Sequence, residues 1–261
     1  MKKEQKGDVM EMKLKNKKAL ITGSASGIGR AIALAFAKEG ADVALNYFDR
    51  EQDAKEVKEM IDREYNVNAS LVQADVSDES QVKNMVDQVI REFGAIDILV
   101  NGAGILNQVL MENMDVKTWD QMIDIDLRGP FLCTRFVLPH MIENRSGRII
   151  SIASQLGQIG GVELTHYSAA KAGVIGMTKA LAREVGKYGI TVNCIAPGPI
   201  ETDLIKGLDD NWKMQKKKEL AIPRFGKPEE VAPTAVLLAS DPDGNLYTGQ
   251  TLGPNSGDVM L

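Results

Sequence analysis

The chain has 261 residues, 44% hydrophobic and 26% charged, with a formal net charge of −5. That balance suits a soluble globular protein with a sizeable core, and it excludes a nucleic-acid-binding module, which needs a concentrated basic surface. The two cysteines, Cys133 and Cys194, stand far apart among apolar residues, so they supply neither a metal-ligand spacing nor a disulfide framework and read as buried thiols.

Residues 1–13 are polar, lack periodicity and are too charged for a secretory signal, so they read as a mobile leader before one domain over 14–261. No apolar run is long enough to span a bilayer, and a soluble cytoplasmic protein is the expectation. Lys18–Thr22 reads as a buried strand running into a glycine loop. The pattern Ile28, Ala31, Ile32, Ala35, Phe36 then predicts a helix ending at Gly40. Strands are predicted at 42–47, 69–73 and 96–100. Between them lie helices over 49–65, with Asp49 as its cap, and over 77–93, with Ser77 as its cap.

The alternation continues with a long helical region over 116–144, which Pro130 and Pro139 should break or bend. A strand follows at 148–153, a helix at 167–188 and a strand at 191–196. Residues 203–225 interrupt the rhythm as an excursion over the sheet edge. A helix over 228–240, opening on Pro228, and a last strand near 250–253 complete the chain. Short strands, apolar on both faces and separated by helices, predict an α/β fold: a single-domain, Rossmann-like, doubly wound parallel sheet of about seven strands.

Two stretches carry chemistry. Thr22-Gly23-Ser24-Ala25-Ser26-Gly27-Ile28-Gly29 joins the first strand to the first helix, where glycines allow close backbone approach and the helix amides offer a pyrophosphate site. Tyr167 and Lys171 lie four apart, on one helical face. A free tyrosine, with a pKa of about 10, is a poor base near neutrality, and an adjacent cation favours its phenolate.

These stretches, in this order with three others, resemble the short-chain dehydrogenase/reductase family. The others are Asp75-Val76 after the third strand, Asn101-Gly102-Ala103-Gly104 after the fourth, and Pro197-Gly198-Pro199-Ile200-Glu201-Thr202 after the sixth. Ser154 also stands thirteen residues before Tyr167, the family interval. The resemblance spans nearly everything from Lys17 to Gly253. It implies hydride transfer between a nicotinamide and a ketone or secondary alcohol. Tyr167 would be the general acid/base, Lys171 would lower its pKa and hold the ribose, and Ser154 would bind the substrate oxygen, with Gln155 beside it. Cofactor contacts would come from Gly23, Ser26, Ile28, Gly29, Tyr47, Asp75, Val76, Asn101, Ala103, Tyr167, Lys171, Pro197, Ile200 and Thr202. No metal is implied. The family's remaining catalytic residue is an Asn whose backbone carbonyl orders a water of the proton relay. Asp126 stands in its place, and an altered pH profile is the expectation.

The cofactor is NADP or NAD. Tyr47 falls where an NAD-type Asp would be, and the Asn46-Tyr47 ending slightly favours NADP; whether Arg50 reaches a phosphate stays open. Two substrate classes compete. A 3-oxoacyl-[acyl-carrier-protein] reductase would need basic residues where Pro139 and Tyr188 stand, with Arg135, Arg145 and Lys187 close by. The polar loop Gln155, Gln158, Glu163, Thr165, His166 favours instead a small polar or sugar-like molecule, with His166 facing solvent. A non-catalytic nucleotide-binding regulator is the remote third reading. Lys213, Lys216, Lys217 and Lys218 read as the wet face of a lid helix. The resemblance also implies a homotetramer, into which the apolar end of the tail would bury.

Overall fold

The computed structural model describes residues 12–207 and 209–260. Seven parallel strands form one sheet in the order β3-β2-β1-β4-β5-β6-β7. They are β1 (Lys18–Ile21), β2 (Asp42–Tyr47), β3 (Ala69–Gln73), β4 (Ile98–Asn101), β5 (Gly147–Ile152), β6 (Ile190–Ile195) and β7 (Thr251–Leu252). Successive side chains of a strand point to opposite faces, and the core divides accordingly. Ala19, Ile21, Val43, Leu45, Ile98 and Val100 face one helical layer, whereas Leu20, Ala44, Leu99, Ile149 and Val192 face the other.

The first layer holds α1 (Gly27–Lys38), α2 (Glu51–Glu64) and α10 (Pro228–Ala239), centred on Ile32, Phe36 and Leu238. Full burial of a side chain such as Phe36 contributes about 1.5–3 kcal/mol. The second layer holds α3 (Glu79–Phe93), α5 (Gly129–Glu143) and α7 (Thr165–Val185). In α3 the buried stripe is Val82, Met85, Val86 and Val89, the spacing of one helical face. The shorter helices among the described residues are α4 (Val116–Ile123), α6 (Leu156–Ile159), α8 (Asp203–Lys206) and α9 (Asp210–Glu219). No helix among the described residues is long and apolar enough to cross a membrane.

Three local expectations are corrected. Asp78, not Ser77, caps α3, its carboxylate accepting the Ser80 and Gln81 N–H groups; Ser77 donates instead to Asp75. Arg50, not Asp49, occupies the cap position of α2, with no side-chain cap bond. Neither proline breaks the region over 116–144: Pro130 sits in the first turn of α5, where its missing N–H costs nothing, and Pro139 lies inside that helix. The break is a π-helical turn, Asp124–Arg128, between α4 (Val116–Ile123) and α5.

Residues 1–11 of the expected leader lie outside the described residues. Lys13, also assigned to it, donates its N–H to Glu39 and pairs with Asp243 at 2.6 Å. The tail folds against its own chain, with Ile222 N–H bonded to Ser256 O and Gly198 N–H to Pro254 O. Leu261 lies outside the described residues.

Candidate active site

In an open parallel sheet, ligands bind beyond the carboxyl ends of the strands where the strand order reverses. Here that point lies between β1 and β4, and the glycine loop and the Asn101 segment meet there. Thr22 Oγ1 accepts the N–H groups of Gly102 (3.0 Å) and Ala103 (3.2 Å). Asn46 accepts the Gly23 N–H on Oδ1, and its Nδ2 donates to Val72 O and Ala74 O. Side chains would not fit at the loop's closest approaches. A Cβ on Gly23 would come 2.7 Å from Ala103 Cα, and one on Gly29 2.3 Å from Gly23 O.

A cleft of about 480 Å³ opens beside this loop, lined by Ala25, Ser26, Gly27, Arg50, Thr202 and Asp203 among others. Asn101 Nδ2 is spent on Thr134 and Ser151, while its buried Oδ1 has no partner among the described residues. A tight glycine cradle, a cleft at a helix N-terminus and an acceptor held without a donor fit a dinucleotide. Arg50 is engaged across the cleft by Asp203 at 2.7 Å.

The expected catalytic side chains Ser154, Tyr167 and Lys171 converge at the carboxyl end of β5. Ser154 and Lys171 are buried, and Tyr167 is half-buried. Ser154 Oγ accepts the Leu156 N–H at 3.1 Å, which leaves its O–H free to donate. Lys171 Nζ donates to Ile152 O at 3.0 Å and lies 5.5 Å from the centre of the Tyr167 ring. Desolvation is the largest influence on the phenol and raises its pKa; Lys171 and Ser154 pull it back, and Asp126 pushes it further up. The expected effect of the lysine is present but does not dominate.

Asp126, in the π turn, is fully buried beneath this group. Its Oδ2 lies 3.1 Å from Lys171 Nζ, and its Oδ1 accepts the Ile105 N–H at 2.9 Å. A side chain at position 104 would not leave it room, since a Cβ on Gly104 would stand 2.8 Å from Oδ2. Burial pushes the Asp126 carboxyl up, against the pull of Lys171 and Ile105. Burial also works against the Lys171 ammonium, but Asp126 and Tyr167 hold its pKa above the ordinary value.

Of the other expected residues, Tyr47 ends β2 half-buried, and Val76 is buried. Asp75 has one carboxylate oxygen turned to Ser77. Pro197 O accepts the Gln155 N–H, and Ile200 bridges to Gly226. The γ-methyl of Thr202 would meet a Cβ on Gly27 at 3.3 Å.

His166 is corrected outright: it is fully buried, with Nε2 2.7 Å from Asn107 Oδ1 and Nδ1 without a partner among the described residues. The lysine run is not simply a wet face either. Lys216 pairs with Asp258, Lys213 donates to Lys206 O, and Lys217 stacks on Phe225. The sequence does not point to Asn107 or Asp258 at the site, and it brings in Asn46 only as part of the strand ending, not as the residue that pins the glycine loop. Asn46 left a structural signal as a polar residue that follows the apolar run Val43-Ala44-Leu45.

The chain is similar to known proteins along most of its length. The short chain dehydrogenase family profile matches residues 17–213. The 3-oxoacyl-[acyl-carrier-protein] reductase FabG of Staphylococcus epidermidis is 43% identical over 245 residues, 94% of this chain and 100% of its own. The (2S)-[(R)-hydroxy(phenyl)methyl]succinyl-CoA dehydrogenase subunit BbsD of Thauera aromatica is 44% identical, covering 92% and 96%. A short chain dehydrogenase from Burkholderia cenocepacia, solved in complex with NADP, superposes with a TM-score of 0.87 at 33% identity, covering 94% and 99%. Site and sequence together place this chain in the short-chain dehydrogenase family.

Proposed function

We propose that this protein is an NADPH-dependent reductase of 3-oxoacyl thioesters. The observation that carries the reading is the Ser154, Tyr167 and Lys171 cluster in a chain 43% identical to a 3-oxoacyl-[acyl-carrier-protein] reductase over that enzyme's full length. BbsD, by its name, also acts on an acyl thioester. The NADP bound in the Burkholderia relative supports the phosphorylated cofactor, as does Arg50 on the cleft beside Ser26.

When bound, the nicotinamide supplies the hydride. Reduction builds negative charge on the substrate oxygen, which the Ser154 O–H stabilises and the Tyr167 O–H protonates, turning C=O into CH–OH. In the reverse direction the Tyr167 phenolate takes that proton. Lys171, anchored on Ile152 O, favours the phenolate.

Recognition of an acidic carrier protein is supported by a basic patch at the end of α7. Arg145 and Lys187 lie 6.0 and 5.1 Å from the centre of the Tyr188 ring. The reading of a small polar substrate keeps one observation in its favour, the polar wall of buried Gln155 and half-buried Asp258 beside Ser154.

Cofactor-oxidation assays with NADPH and NADH discriminate between them. Acetoacetyl-CoA should be reduced with NADPH preferred, whereas cyclic ketones and, in the oxidative direction, polyols should be turned over weakly. Efficient polyol oxidation with no acetoacetyl-CoA reduction overturns the proposal.

A further inference from the structure

The residue beneath the catalytic lysine carries an inference that deepens the proposed reduction and rests on it for the direction of the reaction. Within the site, Lys171 and Asp126 are an ion pair at 3.1 Å, both almost wholly withdrawn from solvent. The other groups facing them are Tyr167 and His166 from α7, Ser154 after β5, and Cys194 from β6. Loss of solvent holds His166 below its ordinary value, which favours neutral imidazole, and the Cys194 thiol is pushed up to about 11. Among the described residues facing the phenol, Lys171 and Asp126 are therefore the charged ones, and they act on it with opposite sign.

We infer that Asp126 is a positioning residue whose carboxylate offsets the Lys171 ammonium and so keeps Tyr167 a proton donor over a wider pH range. An ammonium alone beside the phenol would favour phenolate, the form needed to oxidise an alcohol. The buried carboxylate removes much of that pull, because charges in a desolvated site are weakly screened. The phenol then persists to higher pH, and carbonyl reduction keeps its proton donor there. The Ile105 N–H and the absence of a side chain on Gly104 hold the carboxylate in place for this role.

The test is Asp126→Asn, which removes the charge and keeps the shape. Tyr167 is titrated by its phenolate ultraviolet absorbance, as the difference between each protein and its own Tyr167→Phe variant, a measurement that needs no substrate. The phenolate transition should move to lower pH by about 1 unit in the Asn variant, the size expected for a charge within a few ångströms. The rising limb of the pH–rate curve for alcohol oxidation should move with it. Coincident titrations overturn the inference. So does a folded Asn variant that binds NADPH but has lost all activity, which would give the carboxylate a chemical role. In the unmodified protein, a Tyr167 phenolate appearing well below the free-tyrosine value of about 10 also overturns it. Failure of acetoacetyl-CoA as a substrate would refute the proposed function and leave the phenol titration intact.

Discussion

Asp258 accepts a hydrogen bond from the Gln155 side-chain amide, next to Ser154, and takes the Lys216 ammonium of α9 at 2.8 Å on its other oxygen. One carboxylate thus ties the tail, the loop after β5 and α9 together. Its side chain is only 8% exposed and that of Lys216 19%, so the contact is shielded from solvent. Gln155 Oε1 is buried without a partner among the described residues, which leaves it as an acceptor once Asp258 has fixed the amide. Asp258→Ala should raise KM on the order of tenfold with a smaller change in kcat, the effect of losing one charged hydrogen bond of about 1.5 kcal/mol. Steady-state kinetics at saturating cofactor measure the split. Trp212 on α9 offers a second signal, since its fluorescence should report a loosened helix.

Arg50 and Asp203 make a second tie, from the start of α2 to α8. Each side chain is about two-fifths exposed, so the pair is weak and screened by salt. Asp203→Ala should free the guanidinium for a 2′-phosphate and lower the Kd for NADPH severalfold while changing that for NADH little. Fluorescence titration with both cofactors decides it; equal shifts would show that Arg50 does not meet the phosphate.

Burial pushes the Cys133 thiol up to about 12 and that of Cys194 up to about 11. A thiolate is the reactive form, so neither should react with a disulfide reagent in the native protein at mildly alkaline pH. Both should react after unfolding in denaturant. Fast labelling of the native protein would contradict the packing described.

Asp42 joins β2 to β1 through Lys18 and accepts the Asn68 N–H at 2.8 Å. Burial acts to raise its pKa, but Lys18 and Asn68 outweigh burial and leave it lowered. A carboxyl depressed in the folded state contributes stability above its unfolded pKa and loses it as pH falls through the folded value. Asp42→Asn should therefore cost about 1–3 kcal/mol near neutral pH and progressively less below about pH 4. Urea unfolding at both pH values measures the difference.

The strands and the glycine loop were legible because their signals are local. Apolar runs such as Leu20-Ile21 and Ile98 to Val100 need burial on both faces wherever they pack, and the interval from Ser154 to Tyr167 is preserved along the chain. Helix starts were less legible. Asp78 outcompeted Ser77 for the cap of α3 because Ser77 turned back to Asp75, a choice that depends on the geometry of a turn. His166 read as a surface residue because nothing near it in sequence supplies a partner. Asn107 reaches it across 59 positions. Asp258 meets Gln155 across 103 positions, and only the folded chain brings them together. The environment of Asp126 was illegible for the same reason, although its identity was plain.

The π turn at Asp124–Arg128 holds one residue more per turn than the helices on either side. Deleting one of its five positions would let α4 run into α5 as regular helix at about 100° per residue, with α5 in nearly the same phase, because the wider turn absorbs the extra residue. The stripe Leu132, Cys133, Val137 and Met141 would still face the sheet. The extra residue is thus a demand of the site at Asp126 and not of the packing of α5. A homologue shortened there by a single residue would keep its core and lose the turn that sets a carboxylate beside Lys171.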